Sequence, residues 1–540
     1  MLAAISWDGE GNDLLWSNPR NWSNDEIPSA VDSVTIQAPG NVTINYDLPT
    51  ISSIRSLTLR DNLRVSQGGL TVAENFDVQE GLLLSVIGTS SEFTAETATT
   101  IDALSIEIRN GGRVTFPGVT RYASTTRAYT NESVENRTHR LRASGTGSVL
   151  SLPNLTSIDN GSQNVVTLDI IAEVGGRINL PSVNQISDTA DATARRVWVT
   201  ADGVGSTIDM GSLRNFQDNS SQQGEWLSKL TAKNGGSINA PVLTTLNAVE
   251  VTLNNTGSLQ VGSWINWTNG IGNFSSNNYV MPALVNASGT ALNVTSGSLD
   301  ISNVTTMVGG SLILSGGATV NASNLTSIQN GQISLSGGAI VQVPKLGNID
   351  AASILITGGV ELSLPLIRSY ASTTRVYFGE SVEIRTSRLR ASGTGSVLSL
   401  PNLTSIDNGS QNVVTLDIIA EVGGRINLPS VNQISDTADA TARRVWVTAD
   451  GVGSTIDMGS LRNFQDNSSQ QGEWISKLTA KNGAKITLSD ETSFRAVSID
   501  FDSRSFLVAN TIVLQPTSTL TGNGKLWGSL TNQGSVEIPV

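Results

Sequence analysis

Residues 311–344 read SLILSGGATVNASNLTSIQNGQISLSGGAIVQVP. Two short runs, Ser311-Leu-Ile-Leu-Ser and Ile333-Ser-Leu-Ser, are apolar or alternate apolar with polar, and Gly-Gly closes each. Such runs bounded by glycine predict short strands. Each pair of glycines precedes a second run of the form Gly-x-φ-x-φ-Pro-x-φ, where φ is apolar and Gly, Ser or an Asn-like residue can replace Pro. Proline at that point stops the strand from pairing further and starts a turn. Glycine supplies the positive φ of a sharp corner.

The Pro-equivalent position forms a ladder. It falls at Ser302, Ser323, Pro344 and Pro365, in steps of 21 residues. It also falls at Pro117, Pro153, Pro181, Gly211 and Pro241, in steps of 36, 28, 30 and 30, and the same four values carry Pro365 through Pro401, Pro429 and Gly459 to Ser489. The simplest account is one coil of 20–21 residues that some turns lengthen with surface inserts. The expected fold is all-β, a right-handed parallel β-helix. A leucine-rich repeat competes, since Leu152-Pro-Asn-Leu-Thr-Ser-Ile mimics part of one. The Gly-Gly corners and β-branched returns such as Val197-Trp-Val-Thr favour the β-helix, and 3.6-residue periodicity is nowhere sustained. Asn154 and Asn303 sit at a repeated corner, where asparagines suit a stacked hydrogen-bond ladder.

Above this period lies a copied block. Arg140 through Trp226 recurs unchanged as Arg388 through Trp474, 248 positions later, and weaker identity extends the two copies to 122–235 and 370–483. A stack of coils accepts a copied block at two heights, whereas a closed globule rarely does. The expected organisation is a Trp-rich cap over 1–50 followed by one continuous solenoid over 51–540. Trp7, Trp16 and Trp22 are expected to plug the first coil and hide its strand edge. The start lacks a charged n-region and a full h-region. Residues 262–301, with Trp264, Trp267 and Tyr279, are expected to interrupt the ladder.

The 540 residues carry 33 Lys and Arg against 46 Asp and Glu, a formal charge of −13, which disfavours general binding to nucleic acid or anionic membrane. No apolar run reaches the roughly 18 residues of a membrane-spanning helix. Cysteine is absent and His139 is the sole histidine, so disulfides, Cys-based zinc sites, thiol catalysis and His pairs within one chain are all excluded.

The opening Trp-Asp-Gly, Trp16-Ser-Asn-Pro-Arg-Asn-Trp22 and Asp32-Ser-Val-Thr-Ile, continued by Ile54-Arg-Ser-Leu-Thr-Leu and Gln67-Gly-Gly-Leu-Thr-Val, resembles a module of very large bacterial surface proteins with β-helical stalks. The closing Leu520-Thr-Gly-Asn-Gly-Lys-Leu-Trp-Gly-Ser-Leu-Thr-Asn-Gln-Gly-Ser-Val is similar to autotransporter passengers and filamentous-haemagglutinin-like adhesins. The resemblance covers the termini and implies an extracellular, cell-surface, adhesive or fibre-forming protein without catalysis, whose partners are further copies of itself or glycans. Carbohydrate-active lyases and hydrolases also use β-helices, so fold alone does not select among these functions.

The candidate binding residues lie in the copied inserts. Tyr122, Arg127, Tyr129 and Arg137 in the first copy match Tyr370, Arg375, Tyr377 and Arg385 in the second, and Arg121 and Arg368 lie beside them, offset from each other by one position. Guanidinium groups suit carboxylates, sulfates and aromatic faces, so two patches for an acidic glycan or a neighbouring subunit are one expectation. The alternative is that these arginines pair with Glu132, Glu135, Glu380 and Glu383 to hold a loop down. Trp226 and Trp474, at an insert's end, are candidate ligand platforms. Trp198 and Trp446, set between valines, either pack inward, the favoured expectation, or lie flat on a face. Asp188 with Asp191, and Asp436 with Asp439, are the acid pairs that a hydrolase or a Ca²⁺ site would need, although a plain loop role is favoured. No Asp-x-Asp-x-Asp-Gly or Gly-Gly-x-Gly-x-Asp loop specifies calcium, so no cofactor is assigned.

Overall fold

A computed structural model describes residues 4–125, 137–188, 190, 194–218, 226–254, 256–373, 385–409, 411–436, 438, 442–467 and 472–538. The chain divides into two compact units, 1–275 and 276–540, and each holds one copy of the block. Both are parallel β-solenoids: every coil contributes short strands to sheets whose neighbours come from the coils before and after.

In the first unit a coil has three faces. Strands Ser105–Arg109, Arg137–Ser144, Val166–Glu173, Arg196–Asp202, Ser228–Lys233 and Val249–Leu253 stack on the first. Arg113–Thr115, Val149–Ser151, Arg177–Asn179, Thr207–Asp209 and Ser237–Asn239 stack on the second, and Arg121–Ala123, Ser157–Asp159, Gln185–Asp188, Asn215–Asp218, Thr245–Asn247 and Asn266–Thr268 on the third. Alternation puts every second side chain inside, where like stacks on like. Ile106, Leu141, Ile170, Val199, Leu230 and Val251 form one buried column. Tyr122, Ile158, Ile186, Phe216, Leu246 and Trp267 form another. Each such side chain contributes about 1.5–3 kcal/mol by leaving water. Trp264 and Trp267 are fully buried, and Trp267 ends the third-face column; the second- and third-face sheets stop here, at Ser258–Leu259 and Asn266–Thr268, so the stretch does interrupt the ladder while its tryptophans lie inside.

The Trp-rich start is an interior. Trp7, Trp16 and Trp22 are 5%, 0% and 1% exposed, which leaves no face for a sugar. Trp16 packs edge-on against Trp22 at 4.6 Å and against Tyr46 of the first full coil at 5.4 Å, and the Trp22 Nε1 donates to the Trp16 carbonyl at 3.0 Å.

The second unit repeats the scheme. Its first-face column runs through Leu312, Ile333, Ile354, Leu389, Ile418, Val447, Leu478 and Ile499. In its short coils the third strand shrinks to single bridges at Asn286, Thr306, Ser327 and Asn348. The expected asparagine ladder is present at the turns: Asn154 donates to the Pro117 carbonyl, Asn402 to Pro365 and Asn324 to Ser302, at 2.9, 2.9 and 2.7 Å.

The corner between first and second faces explains the glycine pairs. Gly175 takes a φ of +84°, and a Cβ on Gly176 would lie 2.1 Å from the Ala143 carbonyl oxygen of the coil below. The residue before this pair is also left-handed. Asn110, Asn234 and Asn482 suit it, but Val174 and Val422 hold φ +52° while 67% and 68% exposed. A β-branched residue is strained there. Replacing Val174 and Val422 by Asn is expected to raise stability by about 1 kcal/mol per site, read as a higher thermal midpoint. An unchanged or lower midpoint would show that the valines gain elsewhere what the backbone loses.

Candidate functional site

The inserts all enter at one corner, between the third face of one coil and the first face of the next. In the first unit the chain lengthens after Ala123, Asp159, Asp188 and Asp218; in the second it lengthens after Ala371, Asp407, Asp436 and Asp466. Strands leading away from this corner are correspondingly long, as in Arg137–Ser144 and Val166–Glu173.

A buried ion pair pins the corner. Arg195 and Asp188 are both 0% exposed. The Arg195 Nε donates to Asp188 Oδ1 at 2.8 Å, and its Nη2 reaches the Gly161 and Asn160 carbonyls at 2.8 and 3.1 Å. Asn160 completes the knot by donating to Asp188 Oδ2 at 2.9 Å. Burial pushes the Asp188 carboxyl up to about 6, although Arg195 and Asn160 pull it down. Arg443, Asp436 and Asn408 repeat the geometry in the second unit. Asp188 is thus not the loop acid the sequence suggested: it ends the strand Gln185–Asp188 and faces a guanidinium. Asp191 and Asp439 lie outside the described residues. Arginines do hold an insert down, but through Arg195 and Arg443, which the sequence reading did not single out.

The candidate ligand residues separate. Tyr122 and Tyr370 are corrected outright. They are 0% and 1% exposed, and their hydroxyls donate to the Leu104 and Ala352 carbonyls at 3.2 and 3.1 Å, so neither can meet a ligand. Arg121, which opens the third-face strand Arg121–Ala123, and Arg368, one residue before the strand Ser369–Ala371, are exposed. Arg137 and Arg385 open matching first-face strands. Arg127, Tyr129, Arg375 and Tyr377 lie outside the described residues, as do Glu132, Glu135, Glu380 and Glu383. Trp226 and Trp474 are half-buried at the insert's end.

What the fold gathers instead is a first-face cluster. Val197 and Val199 point inward, so Trp198 lies on the outer surface, against the expectation that it packs inside. It shares that surface with Arg196, whose guanidinium carbon sits 3.5 Å from the indole centroid and 5.7 Å from the Trp226 ring. Arg140 and Arg196 approach the two carboxylate oxygens of Asp169, each at 3.9 Å. Burial raises the Asp169 carboxyl, and the two arginines oppose that shift. On the other side, Lys229 lies 4.9 Å from the Trp198 ring and bonds Glu250 at 3.0 Å. In the second unit Arg388, Asp417, Arg444, Trp446 and Lys477 take the same positions, with Arg444 at 3.4 Å from the indole centroid. The indole Nε1 donates to the Leu227 carbonyl in one copy and the Ile475 carbonyl in the other, both at 3.1 Å, which locks the ring. Stacked cations of this kind contribute about 0.5–2 kcal/mol and present a rigid, polar, aromatic surface. The arrangement can bind and orient a polar partner. Among the described residues no group of three His, Asp or Glu side chains could hold a metal ion.

No protein-family model, no curated protein and no solved structure matches this chain.

His139 distinguishes the copies from inside. It is 6% exposed above the Ala103 carbonyl, and burial lowers its proton affinity, opposed by a hydrogen bond with the Ala103 backbone and by Glu80. Arg137 adds to the lowering. Its counterpart is Ser387, which donates to the Ala351 carbonyl at 3.4 Å. A depressed folded value means that this group's contribution is present above about pH 6.5 and is lost as pH falls through the folded value. His139→Ser is therefore expected to remove the part of the acid destabilisation that begins just below pH 6.5, in thermal midpoints followed from pH 7 to pH 5. Parallel pH curves for the two proteins would count against the assignment.

Proposed function

We propose that this chain is a non-catalytic extracellular scaffold, an adhesive or fibre-forming surface protein that works through its length and its outer faces. One observation carries the reading: a block of coils recurs with its interior columns and its buried Arg–Asp pins intact, so the duplicated property is the stack itself. Two further features support it. The carboxylates most suited to acid–base work, Asp188, Asp436, Asp169 and Asp417, are tied to arginines. The terminal motifs resemble those of large β-helical surface proteins.

A glycan-binding role is the second reading, favoured by the locked Trp–Arg cluster on the first face of each unit. A polysaccharide lyase or hydrolase is the third reading: a groove in the second unit lined by Arg462, Asp490 and Glu491 offers two carboxylates and a guanidinium, and hydrolysis needs its two carboxyls about 5–9.5 Å apart around a sugar.

Sedimentation velocity and negative-stain microscopy over a concentration series test the proposal. The expected result is concentration-dependent self-association into fibres or bundles, with no new reducing ends when soluble polysaccharides are added. Monomers at every concentration together with polysaccharide cleavage would replace the scaffold by the enzyme.

A further inference from the structure

The two copies of the first-face cluster are not equivalent, because the copied block ends before the coil that covers them. In the first unit the next coil brings Glu250 and Thr252, and the coil after it Asn273. Glu250 bonds Lys229 at 3.0 Å and accepts from the Asn273 amide at 3.0 Å and the Thr252 hydroxyl at 3.3 Å. This network ties down the Lys229 ammonium beside Trp198. In the second unit the same three positions hold Ser498, Asp500 and Thr521. Among the described residues nothing reaches Lys477 except the Trp446 ring, 5.1 Å away, and the exposed Asp500 carboxylate has no bonded partner. A groove of about 340 Å³ opens between Trp446, Lys477, Thr479, Ser498, Asp500 and Thr521.

We infer that this groove is a subsite for a neutral saccharide, kept open in the second unit and latched shut in the first. The argument is chemical. Lys477 offers donors, Asp500 offers acceptors, and the Thr and Ser hydroxyls act as either. Sugar hydroxyls need that mixture. The two uncommitted charges cancel, so the groove gives no net attraction to an acidic chain. Lys481, at its edge, is already paired with Asp450 at 3.2 Å, and Arg444 with Asp417 at 3.4 Å. The locked indole supplies an apolar wall. The volume falls within the roughly 300–1,000 Å³ range of small-ligand sites. The inference rests on the scaffold reading only in that the sugar is held and not cleaved.

Affinity electrophoresis of the full chain tests it, in gels containing hydroxyethyl cellulose, glycogen, galactomannan or xylan, with polygalacturonate and chondroitin sulfate as acidic probes. Retardation is expected in at least one neutral gel. Ser498→Glu, which rebuilds the latch, and Asp500→Ala, which removes the acceptor, are each expected to weaken it at least tenfold at unchanged thermal midpoint. Glu250→Ser with Thr252→Asp, which transplants the open pair into the first unit, is expected to strengthen it about twofold. No retardation in any neutral gel, retardation confined to acidic gels, or retardation indifferent to Ser498→Glu would each overturn the subsite. Retardation accompanied by shortening of the polysaccharide would uphold the subsite and overturn the scaffold reading.

Discussion

Everything in this molecule depends on the in-register parallel hydrogen bonds between one coil and the next. Each strand residue has a partner directly above and below it, so a single-residue slip would turn every interior side chain outward. Length can therefore vary only where the chain is not in a strand. The four long coils of each block satisfy this by adding residues at one corner, after the third face and before the first. Steps of 36, 28, 30 and 30 residues leave the registers Tyr122–Ile158, Ile158–Ile186, Ile186–Phe216 and Phe216–Leu246 undisturbed. The opposite corner has no such freedom. There, Gly176 approaches the Ala143 carbonyl so closely that no Cβ fits.

A corner that carries inserts loses the regular backbone bonds of the sheets, and buried polar groups must then find other partners. The Arg195–Asp188–Asn160 knot meets that need with charge. A fully buried ion pair is weak evidence for stability, since desolvation offsets much of its attraction. Its value here is positional: one guanidinium holds the Asn160 and Gly161 carbonyls of the insert below while gripping the aspartate that ends its own coil's third-face strand. The second unit repeats the arrangement atom for atom in Arg443, Asp436 and Asn408. The knot belongs to the insert, and it travelled with the block.

Alternation made much of this legible in the sequence. The Pro117-to-Pro241 ladder marked the coils, and the Gly-Gly pairs marked the corners. The same rule, applied to single residues, would have corrected two expectations. In Arg121-Tyr122-Ala123 the charge faces out, so the tyrosine faces in. In Arg196-Val197-Trp198-Val199 arginine and tryptophan share one surface and the valines share the other. Composition pulled the other way, because Arg and Tyr together suggest a ligand patch and Val-Trp-Val suggests a core. The role of Arg195 was not legible. Arg195 and Arg196 are adjacent and chemically alike, and only the insert's closure decides which of them is buried. The inward placing of Trp264 and Trp267 was hidden for a different reason: they occupy core positions that Leu fills elsewhere, Trp267 following Leu246 in the third-face column, so volume persists while the letters change.

The copied block also shows where identity of sequence stops implying identity of surface. In a stack, an outer side chain is bounded by the coils on both sides, so the last rung of a duplicated segment is completed by a neighbour that was not duplicated. Lys229 and Lys477 sit on such rungs. One meets a glutamate and is neutralised; the other meets a serine, while that coil's carboxylate, Asp500, stands two residues along. Interior columns are insensitive to this boundary, since Val251 and Ile499 fill the same place above Leu230 and Leu478. The interior columns therefore stay alike across the boundary, and the coil that closes each block is where the two outer faces part.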